Sequence, residues 1–190
     1  MVMHFVLMKD GGLLDSQGCP VALPVVESFQ VRVPHLCPYV LNFQMPRGDV
    51  IGLKVQFSCH CWTEGYDPAL HTPKHQLIMD GNRARVFSRA RYESSLNLRE
   101  LLGALSSCTM YWTASDRNYG VYNATLIIDG LAYTAFFTLA KERGRFDGNR
   151  YHLVMGVESA YFAPQPSKGL KVRAAAAIDA ALNNRKFRYR

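Results

Sequence analysis

Two alternating runs meet at an Asp-Gly pair, and that meeting constrains this chain more than any other feature. Residues 119–128 and 131–140 flank Asp129-Gly130. Asp-Gly is a favoured two-residue connection between antiparallel strands, because both positions accept positive φ. Such a loop pairs Ile128 with Leu131 and Thr125 with Thr134. Alternation then gathers Tyr122, Ala124, Leu126 and Ile128 with Leu131, Tyr133, Ala135, Phe137 and Leu139 on one apolar face, which belongs in a core. The other face carries Tyr119, Asn123, Thr125, Thr134, Phe136 and Thr138. The next run, 150–161, sends Tyr151, Leu153, Met155 and Val157 to the core face and Arg150, His152 and Glu158 to the polar one. A polar face of this kind is either wet or a site.

The rest of the chain reads around that meander. Residues 29–33 and 50–57 alternate as half-buried strands, the second with Ile51, Leu53, Val55 and Phe57 inward. Residues 76–87 read as a hairpin turning at Asp80-Gly81. Leu96, Leu98, Leu101, Leu102 and Leu105 predict a helix over 96–105, capped by Ser94 or Ser95 and weakened at Gly103. Residues 109–113 are β-prone and 141–149 form a polar loop. Residues 169–184 predict an Ala-rich helix. The expected fold is α+β: an antiparallel meander, a central helix and a C-terminal helix. One domain spans 1–184, and 185–190 form a basic aromatic tail.

Composition excludes several classes. With 48% hydrophobic and 19% charged residues the chain can bury a core, which argues against disorder. No apolar run approaches the roughly 18 residues of a membrane span, and the start lacks leader character, so a cytoplasmic location is expected. Five irregularly spaced cysteines read as reduced thiols. The phosphate-cradling G-x-x-x-x-G-K-[ST] loop, the G-x-G-x-x-G fingerprint and the G-x-S-x-G elbow are all absent.

Charge points to a polyanion. The net charge is +7, and all of the excess lies from Lys141 onward, where 11 basic residues face 4 acidic ones. Arg83, Arg85, Arg89 and Arg91 fall within nine residues beside Tyr92. Planar guanidinium forks match phosphate oxygens. In the tail, Arg185, Lys186 and Arg188 interleave with Phe187 and Tyr189, a pattern that binds phosphates and stacks on bases or docks on a protein. RNA is the expected partner, with a protein partner at the C-terminal region as the alternative.

Cys59, Cys61, His71 and His75 are zinc-type ligands. However, the cysteines stand only two apart, and Pro73 interrupts the histidine pair, so no metal or other cofactor is expected and this quartet is the fallback set. A Cys–His nucleophile lacks the sharp turn that exposes such a thiol.

The segments Phe57-Ser58-Cys59-His60-Cys61, Thr63-Glu64-Gly65, His71, His75, Arg91-Tyr92, Ser95 and Val157-Glu158-Ser159-Ala160-Tyr161 resemble a bacterial family labelled "stationary phase growth adaptation protein", over about residues 50–162. More distantly, a helix followed by a meander ending in Ser-Ala-Tyr resembles the barnase–colicin–RelE-like ribonuclease fold. That second resemblance implies metal-independent RNA cleavage of a toxin or stress-response kind, by His, Arg and hydroxyl groups on a sheet face. The expected catalytic residues are His60, Arg91, His152 and Ser159. Arg83, Arg85, Arg89, Tyr92, Tyr161, Arg185, Lys186 and Arg188 are expected to hold nucleic acid. The alternative is a non-catalytic binding or assembly module.

Overall fold

The structure is a computed structural model. It describes residues 32–71, 77–114, 120–163 and 169–185, with the backbone of five short strands before them. Those strands are β1 (Phe5–Leu7), β2 (Leu13–Asp15), β3 (Pro20–Val21), β4 (Val25–Val26) and β5 (Phe29–Gln30). A 3-10 turn, Pro34–Leu36, leads into β6 (Tyr39–Gln44) and β7 (Val50–Phe57). A second 3-10 turn, Cys59–Cys61, precedes β8 (Thr63–Gly65), β9 (Ile78–Asp80) and β10 (Arg83–Phe87). Two short helices follow, α1 (Arg89–Ser95) and α2 (Leu98–Gly103). Then come β11 (Thr109–Ala114), β12 (Gly120–Ile128), β13 (Leu131–Phe146), β14 (Asn149–Ala163), β15 (Leu170–Val172) and α3 (Ala174–Leu182).

The coarse α+β class holds, and the sheet is larger than a meander. Seven strands run in the order β15-β11-β12-β13-β14-β7-β6. Each neighbour is antiparallel except β14 and β7, which are parallel, Leu153 pairing Leu53 and Val157 pairing Phe57. Gly52 permits that approach: a Cβ there would lie 2.3 Å from the carbonyl oxygen of Arg150. A smaller sheet, β8-β10-β9, stands apart.

The β12–β13 hairpin has the expected register, with Ile128 opposite Leu131 and Thr125 opposite Thr134. Asp129 and Gly130 take φ of 50° and 78°. Tyr133, Ala135 and Phe137 are fully buried among Leu53, Val55, Leu101, Leu153, Met155 and Val157. The opposite face is not wet: Asn123 and Thr134 are also fully buried, and the Thr125 and Thr134 hydroxyls meet at 2.9 Å.

Five expectations need correction. The helix over 96–105 is two helices broken at Leu96-Asn97, and Ser94 and Ser95 end the first rather than cap the second. Their hydroxyls donate back to the carbonyls of Arg91 (3.0 Å) and Tyr92 (2.6 Å), a competition with the helical ladder that ends helices. The loop over 141–149 is a ribbon, because the φ values of Asp147 (50°) and Gly148 (79°) make a second tight hairpin tip. The Lys54 ammonium sits 5.5 Å from the Phe146 ring and 5.4 Å from the Tyr151 ring and pins that ribbon down. The turn after β9 falls one residue later than expected: Asp80 pairs with Arg83, so Gly81 and Asn82 form the loop. Residues 170–172 pair with β11 as an edge strand, and the Ala-rich helix starts only at Ala174. Of residues 29–33, Phe29–Gln30 is strand, whereas Arg32 and Val33 are not.

No helix among the described residues is long and apolar enough to cross a membrane.

The inward and outward sides of β14 should separate in stability measurements. Leu153→Ala empties a fully buried position and should cost about 2–5 kcal/mol in urea unfolding. His152→Ala removes one acceptor, Nδ1, for the backbone N–H of Gly52 (3.1 Å) and should cost only about 1 kcal/mol.

Candidate functional site

The site forms where β7 ends. The Ser58 N–H donates to the Val157 carbonyl at 2.9 Å, so the chain leaves the sheet still tied to β14. Ser58 Oγ accepts the His60 N–H (3.2 Å) and sets the tight Cys59–Cys61 turn. That turn points the Cys61 thiol into the core, where it donates weakly to the Val157 carbonyl at 3.9 Å. The His60 ring turns instead toward the β9–β10 hairpin. Its Nε2 lies 2.6 Å from Asp80 Oδ2, with the two side chains 27% and 22% exposed, so a ligand can reach both.

Two guanidinium groups close on this pair. Arg85 donates from Nε to Thr63 Oγ1 (2.7 Å) and from a terminal nitrogen to the Thr63 carbonyl (2.8 Å). Arg91, from α1, donates to the His60 carbonyl (3.0 Å) and reaches Ser159 Oγ at 3.4 Å. It also lies 5.3 Å from the Tyr161 ring, which stacks on Phe136 at 5.3 Å. Ser159 and Tyr161 reach this place through a bulge in β14: Phe136 pairs Ser159 while Phe137 pairs Val157, leaving Glu158 as the extra residue. Strict alternation would have turned Ser159 into the core.

Burial sets the protonation of the cluster. The His60 pKa is lowered chiefly by burial, and Arg85 and Arg91 lower it further, while the hydrogen bond and charge of Asp80 hold it up. The ring is therefore neutral at pH 7. With Nε2–H donated to the carboxylate, its lone pair rests on Nδ1. The Cys59 thiol is pushed up to about 11, by burial first and then by Asp80. The Cys61 thiol is raised further by full burial. Neither is a thiolate nucleophile at neutral pH.

Of the four expected catalytic residues the structure unites His60, Arg91 and Ser159. His152 stands seven residues back along β14, roughly 20 Å away at about 3.3 Å per residue. Of the expected phosphate binders, Arg85 and Tyr161 belong to the site. Arg89 pairs with Glu93 at 2.9 Å on the surface of α1, and Arg83 stands opposite Asp80 at the start of β10. The Tyr92 hydroxyl donates to the Arg32 carbonyl at 3.1 Å, and its ring packs edge-on to His35 at 5.5 Å. Arg185 pairs with Asp179, while Lys186 and Arg188 lie outside the described residues.

Of the fallback quartet, the described members Cys59, Cys61 and His71 do not converge. Cys61 faces the core, and His71 lies 3.3 Å from Glu64 and accepts the Asp67 N–H (2.8 Å); His75 lies outside the described residues. Cys59 joins a different set: its sulfur, a His60 ring nitrogen and an Asp80 oxygen all lie within 4.8 Å of one another. Asp80 escaped the sequence reading because Asp before Gly already had a sufficient role as a turn residue.

The chain matches the model of the YjaZ family over residues 25–182, and it belongs to that family. This match replaces both resemblances drawn from sequence: it carries neither the stationary-phase label nor a barnase–colicin–RelE-like fold. No curated protein and no solved structure matches the chain.

Three measurements check these electrostatics. The His60 ring should titrate below 6.5 by NMR, and lower still in Asp80→Asn, which removes the charge that holds its pKa up. His35, half-buried and beside Arg99, is likewise lowered to about 4, chiefly by desolvation. For such groups the unfolded chain binds the proton first, so stability is fully present above about pH 6.5 and falls as pH drops from there towards 4. Alkylation at pH 7 followed by mass mapping should label the half-exposed Cys37 and Cys108 well before Cys59 and Cys61.

Proposed function

We propose that this member of the YjaZ family acts on nucleic acid, as a ribonuclease that needs no metal. The observation that carries the reading is the convergence of a neutral His60, oriented by Asp80, with Arg91 and Ser159. A neutral imidazole lone pair is the group that removes a ribose 2′-OH proton near pH 7. The freed oxygen attacks the adjacent phosphorus, and the 5′-oxygen leaves. The products are a 2′,3′-cyclic phosphate and a 5′-hydroxyl end. Arg91, with Arg85 behind it, stabilises the charge that builds on the phosphoryl oxygens. Tyr161 stands beside Arg91, placed to protonate the leaving oxygen, and its stacked partner Phe136 offers a face to a base.

A second reading, a binding module, has its own observation. The outer β13–β14 ribbon exposes Lys141, Arg143, Arg145 and Arg150 against Glu142 and Asp147. Arg145 and Arg150 stand directly opposite each other across the ribbon. Like charges so placed are destabilising, and a polyanion relieves them.

Purified protein in chelator should convert RNA to cyclic-phosphate ends. His60→Ala should lower the rate roughly 10²–10⁴-fold, the usual worth of a positioned acid or base. Arg91→Ala should also lose activity, while His152→Ala should retain it at an unchanged fold. Persistent cleavage in His60→Ala would remove the catalytic reading. RNA binding without turnover, lost with a flatter salt dependence in Arg145→Ala/Arg150→Ala, would establish the binding module instead.

A further inference from the structure

We infer that Cys59, His60 and Asp80 form a divalent-metal site of the zinc type, and that a bound ion silences the pocket. The inhibitory half rests on the role proposed for His60. The binding half rests only on geometry.

Three donors of different chemistry come from two elements, the Cys59–Cys61 turn and the tip of β9, and meet within 4.8 Å. One sulfur, one imidazole nitrogen and one carboxylate oxygen suit a borderline ion such as Zn²⁺ and leave a fourth position open. Hard ions that prefer all-oxygen shells, such as Mg²⁺, find only one oxygen ligand among the three. The supporting shell is in place. The Thr63 hydroxyl donates to the Cys59 carbonyl at 2.7 Å and accepts from Arg85, while Ser58 holds the His60 backbone. Such outer contacts fix ligand direction.

The charges facing the cluster oppose each other. Arg85 and Arg91 repel a cation, and Arg83 stands across the hairpin from Asp80. Against them, the Asp80 carboxylate and the Cys59 thiolate together neutralise the ion. Binding proceeds with loss of the Cys59 thiol proton to water, since the sulfur bonds the metal as a thiolate. Because the ion displaces that proton, affinity should rise with pH.

Inhibition follows from the number of lone pairs on imidazole. A neutral ring has one. When Nε2 binds the ion, its proton moves to Nδ1; when Nδ1 binds, that lone pair is used directly. Either way no ring nitrogen is left to take a proton from a ribose hydroxyl. The metal-free form is thus the active one.

The test is titration of the chelator-treated protein with Co²⁺, read by absorption, and with Zn²⁺, read by RNA cleavage and by the NMR titration of His60. One equivalent of Co²⁺ should produce a thiolate-to-cobalt charge-transfer band. Cys59→Ser should abolish that band. Cys61→Ser, checked for folding by its melting curve, should keep it. Asp80→Asn should weaken Zn²⁺ binding by at least the ~10–100-fold that loss of a supporting contact costs. Zn²⁺ should erase the His60 titration and stop RNA cleavage, and Cys59→Ser should cleave RNA yet resist Zn²⁺. A protein that binds Co²⁺ through Cys59 but cleaves no RNA sinks the ribonuclease reading and leaves the metal site standing. Absence of the band, its survival in Cys59→Ser, or a His60 titration unchanged by Zn²⁺ would overturn the inference.

Discussion

The carbonyl of Val157 is the point on which this architecture turns. It lies at the last residue where β14 pairs with β7, and it accepts the Ser58 N–H at 2.9 Å as β7 ends. The Cys61 thiol then points at the same oxygen from within the core. A backbone acceptor in a buried place is costly to leave unmatched, so the chain has one way to leave the sheet. That departure compels the tight Cys59–Cys61 turn, and the turn throws His60 out toward Asp80 while Cys61 stays inside. One residue further along β14, the bulge at Glu158 releases the strand from strict alternation and turns Ser159 and Tyr161 toward Arg91. Site and sheet are therefore not separable: the groups that converge do so because one strand loses its neighbour at Val157.

The hairpin through Asp129-Gly130 was legible residue by residue, since a two-residue loop of that chemistry permits one register and alternation does the rest. β7 was legible for the same reason. Three other features follow from forces that pattern does not report. The leucine spacing over 96–105 is helical, but the serine hydroxyls at 94 and 95 compete for the carbonyls that a continuous helix would use. The parallel pairing of β14 with β7 joins residues about a hundred apart and depends on the missing side chain at Gly52. The bulge adds one residue to one strand and inverts every inference of facing beyond it. His152 faces as alternation predicts but stands seven residues short of the site along the strand, whereas Ser159 reaches the site against its alternation because of the bulge.

The site is held in its protonation state by partial burial more than by any single ion pair. Burial is the largest cause lowering the His60 pKa and raising that of Cys59, so both groups are neutral at pH 7 although they stand beside Asp80 and two arginines. The same burial that keeps the thiol protonated leaves the imidazole free to accept a proton. A ligand that brings its own charge meets one carboxylate and two fixed guanidinium groups, and the sign of that charge selects the outcome. On the two proposals above, an oxyanion engages the arginines, whereas a divalent cation must draw a proton from Cys59 and take the ring lone pair.

Charge is divided along β14 in a way that total charge conceals. The excess positive charge of the chain begins at Lys141, yet the cations of the pocket, Arg85 and Arg91, come from the part that is neutral in sum. The described excess sits largely on the ribbon, at Lys141, Arg143, Arg145 and Arg150, some nine residues from Ser159, or roughly 25–30 Å along an extended strand. At that distance the Debye screening of about 8 Å at physiological salt uncouples the two regions. The ribbon then cannot shift the protonation of His60, and the pocket contributes little to long-range attraction. On the function proposed above, a polyanion long enough to lie along the strand takes its salt-dependent affinity from the ribbon and its chemistry from the site around His60. A short one, on that same proposed reading, meets only the arginines beside His60, so polyanion length rather than sequence separates the two surfaces.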